Sequence, residues 1–478
     1  MKRYYKSYWF VFWALLAVTV AVVSCRKDEK IITDSDAKLA FSADTVLFDT
    51  VFTTVGSATL KLMVYNKHKE AIRISKITLN GGETSPYKIN IDGENKTTVY
   101  NKEISAKDSM YIFVKVRIDP TDANNPFLVE DQLVFETNGN RQEIKLVAYG
   151  QDAHYITPTV FGGLPYRPVS GTWINDKPYL IYGYAAVVDS SVFTIEAGCR
   201  LYFHKNSGIW IDPHSSLVIK GTPEQKVILQ GDRLEAYYKD LPGQWNGIML
   251  DEGSVDNIIE HAVIRNAVLG IQCEQPSESS NSYPALQIFN TKFENMSIGG
   301  LAGNGTSIIG ANLLFDQCHE YAMALGGGYF DFQHVTIGNY CSSNDKSSLA
   351  ISNAYVRLIK GVETITVIDP TEVSFGNSII WGAVDDEIAV GSTGTGSFSW
   401  KFDHCLLRTT KNISNENNFS NCIANKDPLF IDYKEFNYKL DTLSPALNRG
   451  IYSGIDTDID GASRNSEKPD LGAYEMPY

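Results

Sequence analysis

The sequence predicts an all-β protein in which an N-terminal β-sandwich is followed by a solenoid of short parallel strands and a C-terminal closing tail. Residues 39–152 alternate apolar and polar side chains over segments long enough to be sandwich strands. Further along the chain the apolar segments shorten to three residues and recur regularly. An Asn or His also recurs eight times in one register between residues 261 and 421. These observations predict two kinds of β architecture in one chain of 478 residues.

The charge balance excludes one class of partner. The chain carries 42 Lys and Arg against 56 Asp and Glu, a formal net charge of -14. Binding to nucleic acid requires a basic surface, so we expect no nucleic-acid partner.

The first 24 residues have the layout of a secretory signal peptide. Lys2, Arg3 and Lys6 precede the uncharged apolar run "FVFWALLAVTVAVVS", which is too short to cross a bilayer comfortably. The run ends at "VVSC", which resembles a bacterial lipobox. The resemblance implies that Cys25 is lipidated and anchors the protein to the outer membrane. A plain signal peptide with a chance cysteine is the alternative.

Residues 25–38 are predicted to be a polar tether. The segment "RKDEK" directly after Cys25 resembles the surface-export signals of Bacteroidetes lipoproteins, in which a lysine precedes acidic residues. The resemblance implies that the anchored protein faces the outside of the cell.

Residues 39–152 are predicted to form the β-sandwich. Segments such as "AIRISKITL", "SMYIFVKVRI" and "QEIKLVAYG" alternate in polarity and are separated by turn clusters such as "NGG" and "NGN". The arrangement resembles the immunoglobulin-like modules of ASH type that follow the anchor in many Bacteroidetes surface lipoproteins. The resemblance implies a spacer or docking module.

Residues 153–440 are predicted to form the solenoid. Short apolar segments such as "LYF", "IWI", "LVI" and "IML" suit a coil whose every turn adds a few residues to long parallel sheets. The recurring Asn or His positions, which we call the corner ladder, are His261, Asn290, Asn312, His334, Asn353, Asn377, His404 and Asn421.

The residues around the corner ladder predict a bend. Apolar side chains stand two residues before and three residues after most ladder positions, so the inward parity slips by one at the Asn or His. A straight strand cannot do this, because its side chains alternate with period two. Asn tolerates the left-handed conformation of a tight corner, and its amide can bond the equivalent side chain one coil away. We therefore expect the three histidines to be structural and not metal ligands or acid/base groups.

This pattern, with "GIWIDPHSSLVIKGTPEQKVILQGD" ahead of it, resembles the right-handed parallel β-helix of pectate lyases and related polysaccharide-active proteins. The resemblance implies the fold more strongly than the activity. The Asp-rich hydrolase constellation of that family is missing, because "DDE" at Asp385 has no companions, and its lyase signatures are missing too. We predict no catalytic residue.

A column of side chains four residues after the ladder is predicted to point outward. Its members that could contact a glycan are Arg265, Glu294, Asp316, Arg357, Trp381 and Arg408. Consecutive coils lie about 4.8 Å apart, so these side chains could touch. The alternative is a surface row of ion pairs that contributes little to stability.

Residues 441–478 are predicted to be a C-terminal cap. "YKLDTLSPALNRG" and "PDLGAYE" resemble the tail of many bacterial β-helix surface proteins, which implies closure of the last coil. Asp456, Asp458, Asp460 and Glu467 also fit the spacing of a calcium loop, although flanking amphipathic helices are missing. The alternative is a polar cap in which Asp460, Arg464, Asp470 and Glu475 pair with one another. Apart from calcium, no cofactor is predicted.

The sequence favours a noncatalytic scaffold or adhesin of the outer membrane that presents a β-helix face to a polysaccharide or a surface-protein partner. The alternative is a polysaccharide lyase or glycoside hydrolase with a divergent active site.

Overall fold

The computed structural model describes residues 30–121, 126–274, 284–341, 346–359 and 362–477. The chain divides between Asp152 and Ala153 into two compact units. The described residues form β-strands, turns and three short 3-10 helices at Gly82–Thr84, Ala236–Tyr238 and Tyr433–Glu435. None of the helices in these ranges is long and apolar enough to cross a membrane. The signal segment and the proposed lipidation site Cys25 lie outside the described residues.

The first unit is a sandwich of two sheets. One sheet contains Ile31–Ile32, Ala71–Leu79, Phe127–Thr137, Asn140–Gln151 and Thr45–Phe52 in that order, and Thr98–Ile104 pairs with Ala71–Leu79. The other sheet contains Ala40–Phe41, Leu60–Tyr65, Ser109–Val116 and Tyr87–Ile91 in that order.

The predicted alternation builds the core of the sandwich. In Ser109–Val116 the side chains of Met110, Ile112, Val114 and Val116 are buried, while those between them are more exposed. The sandwich begins earlier than the sequence analysis placed it. Ile31–Ile32, within the predicted tether, pairs with Ala71 and Ile72 in the first sheet.

The second unit is a parallel β-helix of three sheets. Sheet 1 contains His154–Ile156, Tyr179–Ile181, Arg200–Phe203, Val227–Gly231, Ala262–Arg265, Ile379–Gly382, Leu406–Leu407 and Ile423–Ala424. Sheet 2 contains Tyr166–Pro168, Tyr184–Val187, Gly208–Ile211, Gly247–Leu250, Leu269–Glu274, Leu349–Ser352 and Ile388–Gly391. Sheet 3 contains Gly171–Trp173, Val192–Glu196, Ser216–Lys220, Asn257–Glu260, Thr371–Gly376, Phe398–Asp403 and Phe419–Ser420.

Three long strands turn corners and therefore contribute to more than one sheet. They are Leu286–Met296, Gly299–Cys318 and Tyr321–Asn339. Two antiparallel ribbons stand outside the three sheets. One joins Ala354–Ile359 to Val362–Val367, and the other joins Phe430–Asp432 to Asn437–Leu440.

Seven of the eight predicted ladder residues occupy one corner, between sheet 3 and sheet 1. The residues directly before them are paired from coil to coil in one register: Glu260, Phe289, Ala311, Gln333, Gly376, Asp403 and Ser420. The seven corner residues have left-handed φ angles between 48° and 53°: His261, Asn290, Asn312, His334, Asn377, His404 and Asn421. A residue with a left-handed φ turns the chain at the corner. The strand after the corner therefore buries a side chain three residues after the ladder position, where an uninterrupted strand would expose it.

Side chains of the corner ladder bond along the stack. The Nδ2 atom of Asn290 lies 3.2 Å from Nε2 of His261, and Asn312 donates to Oδ1 of Asn290 at 2.9 Å. Asn377 lies 3.2 Å from Nε2 of His334. Burial lowers the pKa of His334 well below its usual value, so this imidazole is a neutral structural group.

Asn353 does not belong to this corner. It follows Leu349–Ser352 in sheet 2, is buried, and exchanges two hydrogen bonds with the backbone of Thr393. The coil from His334 to Asn377 takes 43 residues, whereas that from Asn290 to Asn312 takes 22. The antiparallel ribbon of Ala354–Ile359 and Val362–Val367 fills part of the longer coil. Asn353 follows His334 at about the length of one short coil, so the spacing predicted a ladder residue at a position that is not in the corner.

Aromatic side chains stack inside the helix next to the corner. Phe332, Phe375, Phe402 and Phe419, which stand two residues before ladder positions, follow one another at ring-centroid distances of 5.2, 5.4 and 5.8 Å. Since each apolar register repeats in every coil, the core is a continuous column rather than a single central cluster.

Residues 425–477 follow the last strand of sheet 1, Ile423–Ala424, and we call them the C-terminal segment; they lie along the outer face of sheet 1. The segment's residues Tyr438, Ile459, Ala473 and Tyr474 form a buried cluster with Leu314. A second cluster joins the segment to Ile379, Trp381 and Leu406: its members from the segment are Leu440, Ala446 and Leu471. The segment therefore forms a second layer over several coils, in addition to any closure of the last one.

Candidate functional site

The outward column predicted on sheet 1 exists in register but is not a continuous exposed face. Arg265 pairs with Glu294, Glu294 with Asp316, Asp316 with Gly338, and Gly338 with Trp381. Nε of Arg265 lies 3.5 Å from Oε2 of Glu294 in an ion pair that is mostly shielded from solvent. These residues do stack as predicted, but their exposure differs strongly along the column.

The C-terminal segment covers the middle of the column. Asp316 is fully buried, and the hydroxyl of Tyr438 bonds its Oδ1 atom. Gly338 leaves room for this contact, because a Cβ atom there would come within 2.0 Å of the Tyr438 ring. Asp316 is therefore a structural anchor and cannot contact a glycan.

Burial changes the chemistry of Asp316. Desolvation raises the pKa of its carboxyl to about 8, and the nearby Glu294 acts in the same direction. The hydrogen bond from Tyr438 opposes the shift. A carboxyl with this pKa is mostly protonated at neutral pH, which suits a site from which water is excluded.

Arg357 does not lie in the column. It belongs to the ribbon strand Ala354–Ile359, where its partner is Thr364 in the antiparallel strand. The ribbon that follows Asn353 also removes Arg357 from the column, because the column position is counted as four residues after the ladder position.

The far end of the column opens into a cleft with a volume of about 770 Å³. Two residues from the predicted column, Trp381 and Arg408, line it together with residues that enter from elsewhere in the chain. The other lining residues are Tyr340, Asp385, Thr409, Thr410, Asn425, Asp427, Leu429, Phe430 and Tyr433.

One wall of the cleft is organised by Arg408. Its guanidinium carbon lies 5.4 Å from the centroid of the Trp381 ring, within the range of a cation-π contact. Nη1 donates to the carbonyl of Gly382, and Nη2 donates to Oδ1 of Asp385 at 3.0 Å. Arg408 thus contacts the Trp381 ring, the last residue of strand Ile379–Gly382 and the Asp385 side chain at the same time.

The lining also contains a pair of stacked tyrosines. The rings of Tyr340 and Tyr433 lie 3.9 Å apart with an interplanar angle of 16°. Tyr340 follows the strand Tyr321–Asn339, whereas Tyr433 belongs to the 3-10 helix Tyr433–Glu435 of the C-terminal segment. Burial raises the pKa of Tyr340 above its usual value, and Asp427 and Tyr433 contribute to this shift, so its hydroxyl stays protonated.

Two polar side chains of the cleft lining, those of Asn425 and Asp427, are held by hydrogen bonds to the backbone. Asn425 exchanges two hydrogen bonds with the backbone of Thr409, at 3.0 and 2.9 Å. Oδ1 of Asp427 accepts the backbone N–H of Leu429 at 2.8 Å. These bonds orient the side chains before any ligand arrives, which lowers the entropy cost of binding.

The four carboxylates of the predicted calcium loop do not converge. Oδ1 of Asp458 accepts the N–H groups of Asp460 and Ala462, and Oδ2 accepts that of Glu475. Asp456 accepts the hydroxyl of Tyr452. Among the residues that the structure describes, no group of three or more His, Cys, Asp or Glu side chains is placed to hold a metal ion.

Asp460 forms ion pairs with three lysines, two from the coils and one from the C-terminal segment itself. Its carboxylate lies 2.7 Å from Nζ of Lys226, 3.2 Å from that of Lys292 and 3.7 Å from that of Lys439. Although burial opposes it, the two nearer lysines lower the pKa of Asp460 to about 2. The loop spacing that suggested calcium therefore serves to join the C-terminal segment to two coils.

The predicted polar cap is present only in part. Nη1 of Arg464 lies 3.2 Å from Oε2 of Glu475, and both side chains are buried. The second amino group of Arg464 donates to Oδ1 of Asn312 at 2.8 Å and so reaches the corner ladder. Asp470 accepts backbone N–H groups of Asn448 and Met476, while Asp460 points to the lysines.

Sequence reasoning missed a second left-handed corner and most of the cleft. Asn266, Asn295 and Gln317, each five residues after a ladder position, have φ angles of 61°, 58° and 47°. The recurrence of Asn or Gln at this spacing was visible in the sequence. Tyr340, Asp427 and Tyr433 gave no such signal, because they follow no repeat and meet only through the packing of the C-terminal region.

Comparison with known proteins identifies no family. No protein-family model and no curated protein matches the chain. Among solved structures, a family 123 glycoside hydrolase from Clostridium perfringens matches with 6% identity and a TM-score of 0.18, covering 25% of this chain and 30% of that one. The ASH/PapD-like domain 7 of human CEP192 matches with 9% identity and a TM-score of 0.17, covering 26% and 91%.

A further partial likeness is to the VesB protease of Vibrio cholerae, with 12% identity, a TM-score of 0.17 and coverage of 25% of this chain and 33% of that one. The matched part thus spans about a third of the hydrolase and of the protease. TM-scores this low carry no argument about fold or function.

Proposed function

We propose that the protein is a noncatalytic glycan-binding protein and that the cleft between Trp381 and Tyr433 is its binding site. The observation that carries the proposal is the composition of this cleft. The stacked rings of Tyr340 and Tyr433 line it beside hydrogen-bonding groups that the backbone holds in place, and Trp381, although only 8% exposed, also lines it. Glycans are bound by this combination, because sugar rings pack on aromatic faces while their hydroxyls need oriented polar partners.

The arrangement of carboxyl groups favours binding over cleavage. Glycoside hydrolysis requires a protonated acid and a second carboxylate on either side of the scissile bond. Burial raises the pKa of the carboxyls of Asp316 and Glu387, but neither residue is among those that line the cleft. Asp316 lies under Tyr438, and Glu387 is buried and accepts hydrogen bonds from Ser348 and Val384. Asp385, which does line the cleft, is paired with Arg408.

We further propose that lipid at Cys25 holds this protein on the outer face of the outer membrane. The support is the signal-peptide layout, the lipobox-like "VVSC" and the charged segment after it. A Cys25→Ala variant is expected to move from the membrane fraction to the soluble fraction and to lose protease accessibility on intact cells. Unchanged fractionation of the variant would contradict the anchor.

The binding proposal is tested by the migration of the purified protein in native gels that contain soluble polysaccharides. A bound polymer retards the protein, and Tyr433→Ala is expected to weaken the binding about tenfold, because one stacking ring is lost. The matched control is Tyr237→Ala, which removes a tyrosine that is 78% exposed on the 3-10 helix Ala236–Tyr238 and does not line the cleft. Equal retardation of both variants and wild type would contradict the cleft as the site.

The same polymers decide between binding and catalysis. Each is incubated with the wild-type protein, and both new reducing ends and the absorbance of unsaturated uronate products are followed. No change is expected. Product formation that disappears in Tyr433→Ala would replace the noncatalytic proposal with the lyase or hydrolase alternative.

A further inference from the structure

The charges of the cleft restrict which glycans it can accept. Its described lining contains two carboxylates, Asp385 and Asp427, and a single basic side chain, Arg408. A polymer that carries carboxylates or sulfates needs unpaired cations in its site, because the burial of an uncompensated charge is costly. Whether Arg408 is free for such a role is therefore decisive.

Arg408 is already engaged by the protein. Both terminal amino groups donate to protein oxygens, one to Gly382 and one to Asp385, while the guanidinium faces Trp381. The next cation along the chain is Lys411, which bonds Asp386 at 2.8 Å and also the carbonyl of Ile388. N–H donors remain on both side chains, but each positive charge is already paired with a neighbouring aspartate, Asp385 or Asp386, so neither is an uncompensated cation for an anionic sugar.

The two carboxylates of the lining keep capacity to accept more hydrogen bonds. Asp385 receives one bond from Arg408, and its side chain is 89% exposed. Asp427 is exposed and receives the N–H of Leu429 on Oδ1. A carboxylate has about four lone-pair sites, so each group can accept hydroxyl donors from a ligand. Hydroxyl groups are what a neutral sugar offers.

We propose, on the basis of the proposed function, that the cleft binds neutral glycans, whose hydroxyls donate to Asp385 and Asp427, and rejects uronate-rich and sulfated polymers. The rejection has a local cause, since both free acceptors are anionic, and a long-range one, since the whole chain has a formal charge of -14. The partly exposed rings of Tyr340 and Tyr433 supply apolar surface that is equally suited to neutral and to acidic sugars, so the selectivity comes from the carboxylates.

The test compares two panels of soluble polymers by native-gel retardation at physiological ionic strength. The neutral panel contains β-glucan, mannan, arabinan, galactan and xyloglucan, and the acidic panel contains polygalacturonate, alginate and chondroitin sulfate. Wild-type protein is expected to be retarded by at least one neutral polymer and by none of the acidic ones. The variant Asp427→Asn keeps the size of the side chain and is expected to weaken neutral binding about tenfold or more, since an ionised acceptor is lost.

The matched control is Asp256→Asn, which neutralises an exposed aspartate on another coil and is expected to bind as wild type does. Retardation by an acidic polymer as strong as by any neutral one, or unchanged neutral binding in Asp427→Asn, would overturn the selectivity while leaving a glycan-binding cleft in place. Failure of every polymer in both panels to retard the protein would overturn the proposed function itself, and the selectivity with it.

Discussion

Tyr438 and Asp316 form a buried pair that joins the C-terminal segment to the solenoid. The Tyr438 hydroxyl bonds Oδ1 of Asp316 and lies 2.8 Å from the carbonyl oxygen of Gly338. A phenol has one proton and can donate to only one of these acceptors. If the Asp316 carboxyl is protonated, it donates to Tyr438, and Tyr438 donates to Gly338, so both contacts are satisfied. This agrees with a pKa of Asp316 raised to about 8.

The Asp316 carboxyl is expected to make stability depend on pH. An aspartate in an unfolded chain has a pKa of about 3.9. Between about pH 4 and pH 8 the unfolded chain releases this proton while the folded protein keeps it. The contribution of Asp316 is therefore complete below about pH 4 and is lost as the pH rises to about 8, by up to about 1.4 kcal/mol per pH unit.

The variant Asp316→Asn remains neutral and is expected to lack this dependence. Its melting temperature relative to wild type should rise steadily when both proteins are measured at increasing pH from about 4.5 to 8. Asp256→Asn, a change at an exposed position, should run parallel to wild type at every pH. A constant difference between Asp316→Asn and wild type would show that Asp316 is ionised in the folded protein.

The Tyr438 hydroxyl is expected to contribute to the attachment of the C-terminal segment. Tyr438→Phe keeps the ring against Gly338 but leaves the buried Asp316 carboxyl without this partner. We expect a loss of about 1 to 3 kcal/mol in the free energy of unfolding, and faster proteolysis within residues 441–475. Tyr237→Phe, at a side chain that is 78% exposed, is the control and should change neither quantity. Wild-type resistance to proteolysis in Tyr438→Phe would count against this role.

The corner ladder is expected to differ in strength along its length. Asn312 donates to Asn290 and to the carbonyl of Thr457, and it accepts from the buried Arg464. Asn312→Ala should lower the free energy of unfolding by about 2 to 4 kcal/mol, because Arg464 loses an acceptor and Ala is strained at a left-handed position.

Asn421→Ala is the matched control for the ladder. Asn421 has the same φ of 53° as Asn312 but is exposed and bonds Ser420, its neighbour in the chain. Both variants place Ala in the same strained conformation, so the difference between them isolates the buried amide. Equal denaturation midpoints for the two variants would contradict a role for the side-chain bonds of Asn312.

The repeat explains why most of the fold could be predicted. His261, Asn290 and Asn312 occupy equivalent corners in successive coils and have nearly the same φ. Each coil needs a residue that tolerates a left-handed φ at this point, so the same residue types recur in the sequence. The prediction was wrong at Asn353 and Arg357, where the ribbon of Ala354–Ile359 and Val362–Val367 interrupts the repeat. A repeat pattern counts residues and cannot tell an added ribbon from an added coil.

The candidate site was predicted less completely. Trp381 and Arg408 could be found because they stand at a fixed distance from the corner, and the structure places both in the cleft. Asp316 stands at the same distance but is buried, because Tyr438 packs on it from a segment more than a hundred residues away in the chain. The position of a residue in the repeat predicts whether its side chain points out of the helix. Its exposure to solvent also depends on which other segments pack on that face of the sheet.

The sequence by itself therefore determined the β architecture, the left-handed corner and the outward direction of the column, because these follow from local backbone geometry and from a repeating pattern of side chains. Only the tertiary structure decided which part of the column meets solvent. The C-terminal segment has its own apolar residues, among them Leu440, Ile459 and Leu471, and it buries them on the middle of sheet 1. It also packs on Trp381, which is only 8% exposed, and leaves Arg408 partly exposed at the edge of the cleft. Burial is a property of the whole folded chain, and no local pattern records it.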